Sequence, residues 1–306
     1  MFKRFLAGIL LCLFVFSSFS ITSFANAYGF KEEFDYTTND YVTNDEMFVL
    51  NKLGIITWAN IEELAERHNE PITRAFMAWY IVRMANLPSE TPSEYETLFK
   101  DLSSEYKYYS QIKAVVKGGY MSGDPDGYFR ANDLITTKEA AMVLLRVLGY
   151  QQYINVAGVD RALKATRIMD GLEFESSITQ EKLMKMFFNT LNSPAIKSGT
   201  FKQYADGVTD VEYLIDEAYL GFEHLYGIKH EIGILDAVKG TTLDVSGDLL
   251  GDNEIGISGI TYKYDTDVSA LLGYKVNYFY TEKNNGGREI FHLYKAEGNE
   301  ELLLGI

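Results

Sequence analysis

The sequence predicts an α+β protein in two parts: a mainly α-helical first half built from a repeated unit, and a small antiparallel β barrel or sandwich behind it. Three observations carry this prediction. An Ile-Thr phrase followed by an apolar helical pattern recurs three times between residues 72 and 191. Beyond residue 229 apolar and polar residues alternate, the period of a half-buried strand. A chain of 306 residues, 47% hydrophobic, has length and apolar content for about two domains at roughly 150 residues each.

Residues 1–27 have the make-up of a secretory signal peptide. Lys3 and Arg4 form a charged start, residues 5–16 an apolar run, and Ala25-Asn26-Ala27 a small-x-small cleavage site that predicts a cut before Tyr28. The apolar run is short of the roughly 20 residues a membrane span needs. Cys12 is the sole cysteine and lies in this leader. Leu10 and Leu11 before it are too bulky for a lipoprotein site. The predicted mature chain is therefore exported, without a disulfide, a thiol nucleophile or a Cys-ligated metal.

The formal charge is −15; without Lys3 and Arg4 it is −17, from 26 basic and 43 acidic residues. This argues against nucleic acid and against anionic membrane surfaces, which need basic patches. The charge is uneven: residues 99–150 carry +1, whereas residues 197–306 carry −10. An anionic ligand meets least repulsion in the middle of the chain.

The repeat organises residues 28–196 into three segments, 28–98, 99–150 and 151–196. Ile72-Thr73-Arg74-Ala75 recurs as Ile135-Thr136-Thr137-Lys138 and as Ile178-Thr179-Gln180-Glu181. Each threonine is a natural helix N-cap. Thr136 with Glu139 fits a capping box, whereas Phe76 and Lys182 hold that place in the other copies. Ala141, Leu144, Leu145 and Leu148 share one helical face. Ala78, Ile81, Val82 and Ala85, and then Met184, Phe187, Phe188 and Leu191, fill the same places in the other copies. Shorter helical patterns precede each phrase, over residues 47–53, 108–116 and 159–168. A two-helix unit cannot bury its own apolar face, so three should pack together.

The middle segment, through Phe99-Lys100-Asp101-Leu102, Tyr108-Tyr109, Gly119-Tyr120-Met121-Ser122-Gly123-Asp124-Pro125-Asp126-Gly127-Tyr128-Phe129 and Ile135-Thr136, resembles an S-layer homology (SLH) repeat. The first copy is similar through Leu53-Gly54-Ile55-Ile56 and Ile72-Thr73-Arg74-Ala75; the third keeps Ile178-Thr179 but lacks the Asp-Gly-x-Phe loop. The resemblance implies a pseudo-threefold α-helical SLH triplet. It also implies non-covalent anchoring to the bacterial cell wall, through secondary cell-wall polysaccharide bound in grooves between repeats, often at a pyruvylated N-acetylmannosamine. A guanidinium suits the pyruvyl carboxylate, since it offers two parallel N–H bonds. Carried over by position, the glycan-binding residues are Arg74 and the loop residues Ser122, Gly123, Asp124 and Asp126, with Lys138 serving a second, weaker groove. Thr137 and Gln180 replace the motif arginine in the other copies. The alternative function is a structural or protein-interaction module whose degenerate repeats no longer bind glycan. On the groove assignment, Arg74→Ala is expected to weaken binding and leave helicity intact.

Residues 123–127 also admit a calcium loop, but an EF-hand needs glutamate at the twelfth position, and counting from Asp124 that position is Ile135. A Pro-Asp-Gly turn explains the string. Tyr108 and Tyr109 are expected as core and groove-lining aromatics. No catalytic residue, metal or cofactor is expected: His68, His224, His230 and His292 form no zincin motif, and no Gly-x-Ser-x-Gly elbow occurs.

Residues 197–228 are expected as a linker followed by one helix over 211–226, from Val211, Leu214, Ile215, Ala218 and Phe222. Residues 229–306 are expected as the small β domain, with strands over 231–238, 242–245, 254–257, 260–264, 274–280 and 289–294. Asn285-Gly286-Gly287 is a hairpin signal. Other surface proteins are the candidate partners of this β region, and the cell surface is the expected location.

Overall fold

The computed structural model describes residues 43–57, 67–88, 98–203, 209–243 and 250–298. The leader and the apolar Leu302-Leu303-Leu304 close lie outside these residues. Among the described residues, an N-terminal helical region is followed by a C-terminal mixed β-sheet region, and no helix is long and apolar enough to cross a membrane.

The helical region comprises α1 (Asn44–Lys52), α2 (Arg74–Met84), α3 (Tyr109–Lys117), α4 (Thr137–Val147), α5 (Gln151–Ala157), α6 (Val159–Lys164) and α7 (Gln180–Leu191). The long helices α2, α4 and α7 start alike. Thr73, Thr136 and Thr179 are extended N-caps whose side chains accept from the amides of Phe76, Glu139 and Lys182. Thr136 and Glu139 complete the expected capping box; Thr43 and Glu46 form a second one at α1.

The residue before each of the three threonines joins a ring of backbone hydrogen bonds. Ile72 N–H donates to Ile178 O at 2.9 Å, Ile178 N–H to Ile135 O at 3.1 Å, and Ile135 N–H to Ile72 O at 2.9 Å. The three helix starts thus meet at one point, and each satisfies the next one's backbone. All three isoleucines are buried, and below them lie Ala141, Leu144 and Leu145 from α4 with Leu148 capping its end, Ile81 from α2 and Phe187 from α7. Full burial of each large apolar side chain contributes about 1.5–3 kcal/mol. One further bond recurs near the far end of each long helix: Arg83 donates to Ile55 O, Arg146 to Tyr120 O and Asn189 to Ile168 O. Gly54 and Gly119, both at φ +75°, turn the chain just before the first two of these carbonyls.

Residues 197–228 are not a linker and long helix. β1 (Pro194–Gln203) and β2 (Thr209–Leu220) form an antiparallel hairpin, and only α8 (Gly221–Tyr226) is helical. The spacing of Val211, Leu214, Ile215 and Ala218 fits a helical face, but β1 supplies residues 209–213, Ile215 and Leu220 with cross-strand backbone partners. Such pairing overrides a short local period. The hairpin and α8 dock on the helical core: Ile196 N–H donates to Leu148 O, Gly221 N–H donates to Ser193 O, and a Cβ at Gly221 would stand 2.5 Å from Thr190 O.

Behind it lie β3 (Ile228–Val238), β4 (Thr241–Thr242), β5 (Glu254–Ile257), β6 (Ile260–Lys263), β7 (Lys275–Glu282) and β8 (Arg288–Lys295). They form one sheet in the order β4-β3-β5-β6-β8-β7, with β7 also pairing with β3. The β6–β8 contact, Lys263 opposite Glu289, is parallel. The expected purely antiparallel barrel or sandwich is therefore a mixed sheet. Its own core centres on Leu235, Ile257, Val276 and Tyr278, whereas Phe222, Ile228 and Phe279 belong to the helical core. The seam lies at the C-terminal ends of the long helices. Tyr226 donates to Met84 O at 2.7 Å, His224 hydrogen-bonds the Val147 backbone, and His230 Nδ1 lies 2.6 Å from Asn192 Oδ1.

Candidate functional site

The N-terminal ends of α2, α4 and α7 face away from this seam. Clefts open there between one helix start and the next helix.

The first cleft lies between the start of α2 and α4. A cavity of about 140 Å³ is lined by Arg74, Ser122, Glu139, Met142 and Arg146, among others. Arg74 sits at its wall, but its guanidinium is already engaged. Nε donates to Phe129 O at 2.9 Å, one terminal nitrogen donates to Ser122 O at 2.8 Å, and the other lies 3.5 Å from Glu139 Oε1. The charge also rests over the Phe129 ring, 4.9 Å from its centroid. The arginine therefore ties α2 to the loop before α4. Arg146, half-buried nearby, has a buried Nε without an acceptor among the described residues, and burial pushes its guanidinium below the usual range.

The predicted loop residues serve the same tie. Ser122 contributes its carbonyl to Arg74. Asp124 Oδ1 accepts from Tyr128 N–H at 2.9 Å and Oδ2 from Arg130. The Tyr128 amide, with Arg130 next, holds this carboxyl below the usual carboxylate range. Gly127 N–H donates to Asp124 O and Gly127 stands at φ +85°, so the string forms the expected turn. The Asp126 carbonyl accepts from Lys100 Nζ at 2.7 Å. A Cβ on Gly123 would fall 2.3 Å from the Phe99 ring, so the glycine is there for close approach. Lys138 is exposed on α4 and is not part of the Arg74 cavity wall. Arg74, Ser122 and the turn are brought together; Lys138, expected to serve a separate groove, lines neither this cavity nor the one at Gln180.

The second cleft lies between the start of α7 and α2, where Gln180 occupies the place that Arg74 holds on α2. Its cavity is larger, about 360 Å³, lined by Phe76, Trp79, Tyr108, Arg67, Lys107 and Gln180, among others. Among the described residues the Gln180 side chain reaches only Tyr80, donating to its hydroxyl at 3.3 Å. Phe76 takes the place of Glu139, and the carboxylate in this cleft's wall is Glu70 instead. Phe76 and Trp79 lie nearly parallel, at 15° with centroids 5.4 Å apart, and Tyr108 stands 6.1 Å from Phe76. Lys107 Nζ lies 4.8 Å from the Tyr108 ring centroid, and Arg67 pairs with Glu70 at 3.3 Å. Tyr109 is in the core and Tyr108 in the groove wall, which divides the expectation for that pair.

At the third helix start, Thr137 and Glu175 are joined by reciprocal backbone and side-chain bonds, and Lys182 pairs with Glu175 at 2.5 Å.

Sequence reasoning did not single out Phe76, Trp79, Arg67 or Lys107 as site residues. A signal existed: Phe76 and Trp79 at i and i+3 place large rings off the face on which Ala75, Ala78 and Ile81 are buried. Among the described residues, no three His, Cys, Asp or Glu side chains cluster as metal ligands would.

Residues 98–141 match the family model of the S-layer homology domain. No curated protein matches the chain. The matched segment takes in α3, the Asp124 turn and the start of α4, hence Ser122, Gly123, Asp124, Asp126 and Lys138, but not Arg74. One S-layer homology domain is thus present at residues 98–141, and it supports a general cell-wall-anchoring role and surface location of the kind typical of that family.

Proposed function

We propose that the helical region is an SLH-like triplet with pseudo-threefold packing, and that it holds the secreted protein to the bacterial wall by binding acidic secondary cell-wall polysaccharide, without catalysis. The isoleucine ring, the three threonine caps and the recurring Arg83, Arg146 and Asn189 bonds support the triplet reading. The binding site on this reading is the α7–α2 cleft rather than the Arg74 cleft.

The observation that carries it is the juxtaposition of three aromatic rings with Arg67 and Lys107 around a cavity of about 360 Å³. The negative faces of aromatic rings suit the C–H face of a pyranose. Lys107, together with Arg67 in its pair with Glu70, supplies the positive charge that suits a sugar carboxylate, on a chain whose formal charge is −15.

The test is co-sedimentation of the full mature protein with wall sacculi that retain or lack their secondary polysaccharide. Pelleting only with the polysaccharide is expected. Equal pelleting in both overturns the reading. The competing reading, a structural or protein-interaction module without glycan binding, is favoured at the first cleft by the engagement of Arg74 with Phe129, Ser122 and Glu139. Equal pelleting would extend it to the whole helical region.

A further inference from the structure

The β region has a cavity of its own, of about 430 Å³, where the end of β3, the start of β5 and the segment after β6 come together. It shares no residue with either cleft. Val238, Ile255, Tyr264 and Val268 supply an apolar part of its wall, and all four pack in the sheet's own core. The sheet therefore fixes this part of the wall in place. Glu254, Asp265 and Asp267 stand in the same wall. We infer that this cavity docks a basic segment of a partner protein, taking a lysine side chain with its aliphatic stem on the apolar wall and its ammonium at the carboxylates.

Charge complementarity names the occupant. Among the described residues, no ion pair joins Glu254, Asp265 or Asp267 to a basic side chain. The cation in the wall, Lys239, is committed to Asp252 at 2.6 Å. The Ser269 amide donates to Asp267 Oδ1 at 3.0 Å and, with the Ser269 hydroxyl, holds that carboxyl below the usual carboxylate range, so it is ionised at neutral pH. Carboxylates beside a low-dielectric wall concentrate negative potential in the space between them. Residues 197–306 carry −10 in all, so an anionic ligand is repelled here. A metal ion is a poor occupant, because among the described residues no three carboxylates or histidines cluster as its ligands would. It would also leave the apolar wall uncovered. A lysine covers both surfaces, since its stem is apolar and its head is charged.

The experiment is a fluorescence-anisotropy titration with the full mature protein. The probes are three dye-labelled, end-blocked pentapeptides: Val-Lys-Val-Lys-Val, the same peptide with norleucine for lysine, and the same with glutamate. Norleucine keeps the stem and removes the ammonium. The lysine peptide is expected to bind about tenfold tighter than the norleucine peptide, and the glutamate peptide most weakly. Asp265→Asn and Glu254→Gln should each weaken the lysine peptide about threefold and leave the norleucine peptide unchanged. Asp265 is exposed, and Glu254→Gln keeps an acceptor for the Gly251 amide, which Glu254 Oε2 now holds at 3.1 Å, so one folded variant is secured. Glu297→Gln, an exposed carboxylate outside the cavity wall, is the control and should change nothing. Equal affinities for the lysine and norleucine peptides overturn the ammonium assignment. Equal losses in Glu297→Gln and Asp265→Asn overturn the site, because net charge alone would then attract the peptide. Binding of n-butylamine as tight as that of the lysine peptide overturns the protein partner in favour of a small amine. None of these outcomes touches the α7–α2 cleft, whose test is separate.

Discussion

The Arg74 cleft and the Gln180 cleft begin from the same local structure, a buried isoleucine, a threonine cap and the first residue of a long helix. They end with different amounts of open space. At the first, a side chain with five donors reaches two backbone carbonyls, a carboxylate and an aromatic ring, and about 140 Å³ is left. At the second, a shorter neutral side chain reaches one hydroxyl, an aromatic ring replaces the carboxylate, and about 360 Å³ is left. The motif position marks where a cleft forms. Whether the cleft is open is decided by what the residue in that position can bond to at home.

The widest separation between the clefts is expected from Trp79→Ala set beside Met142→Ala. The two residues hold the same helical place, one in each cleft. Truncating a central aromatic typically costs about 2–3 kcal/mol of binding, roughly thirty- to a hundredfold or more. Pelleting with polysaccharide-bearing sacculi should fall by that factor for Trp79→Ala and stay unchanged for Met142→Ala. Equal losses would mean that both clefts bind and that the comparison fails.

Acid tests the opposite end of the same helices. His230 lies in the seam, with Nδ1 2.6 Å from Asn192 Oδ1 at the end of α7, Nε2 3.3 Å from Asn277 Oδ1, and its ring stacked on Phe279. Burial, with a smaller contribution from Arg167, pushes its pKa down to about 4, against the raising effects of Asn277 and Glu231. In the unfolded chain the ring titrates near its ordinary 6.5. Above that value it is neutral in both states and its burial is uncharged. As pH falls from about 6.5 towards 4, the unfolded state takes up a proton that the folded state refuses, and stability is lost. At pH 5 the loss is about 2 kcal/mol. Urea unfolding at pH 7 and pH 5 measures it, and His230→Phe should flatten the difference. Because both clefts lie at the helix starts, binding at pH 5 should track the folded fraction and no more. A binding loss ahead of unfolding would couple clefts to seam.

Arg74→Ala separates tie from ligand. It strips donors from Ser122 O and Phe129 O, which costs about 1–2 kcal/mol when partly buried acceptors lose their partner. A lowered urea midpoint with unchanged pelleting is the expected result. This reverses the order of effects that the motif alone predicts, and lost binding at unchanged stability would restore Arg74 as a ligand residue.

Much of this was legible before any coordinates. Thr73, Thr136 and Thr179 announce their helices through local capping chemistry, and the strand at Glu254–Ile257 falls where alternation puts it. What failed to show has a common cause. β2 is a strand because β1 pairs with it, a partner outside any local window. α5 buries none of its residues, so it carries no apolar stripe to detect. Arg74 was visible as a cation, but its acceptors are backbone oxygens from residues 122 and 129, which no side-chain pattern encodes. The open cleft is assembled from residues 67–79, 107–108 and 180, three stretches whose proximity exists only after folding.

The smallest contrast lies in the caps themselves. Thr73 and Thr136 both accept from the amide three residues on, at 3.2 and 3.1 Å, but only Thr136 also has its own amide and hydroxyl bonded by Glu139 Oε2, each at 2.9 Å. Replacing either threonine by alanine costs about 1 kcal/mol for the lost cap. At Thr136 the substitution also removes the hydroxyl bond to Glu139, the carboxylate that faces Arg74. Thr136→Ala is thus expected to be the more destabilising by a few tenths of a kcal/mol, read as a difference in urea midpoint. The Glu139→Gln background supplies the check. If the excess arises from the Thr136–Glu139–Arg74 chain, it should shrink there, because a neutral amide holds both neighbours less strongly. If it persists undiminished, Glu139 contributes to the cap alone, and the Arg74 cleft is closed by the two carbonyls without help from the carboxylate.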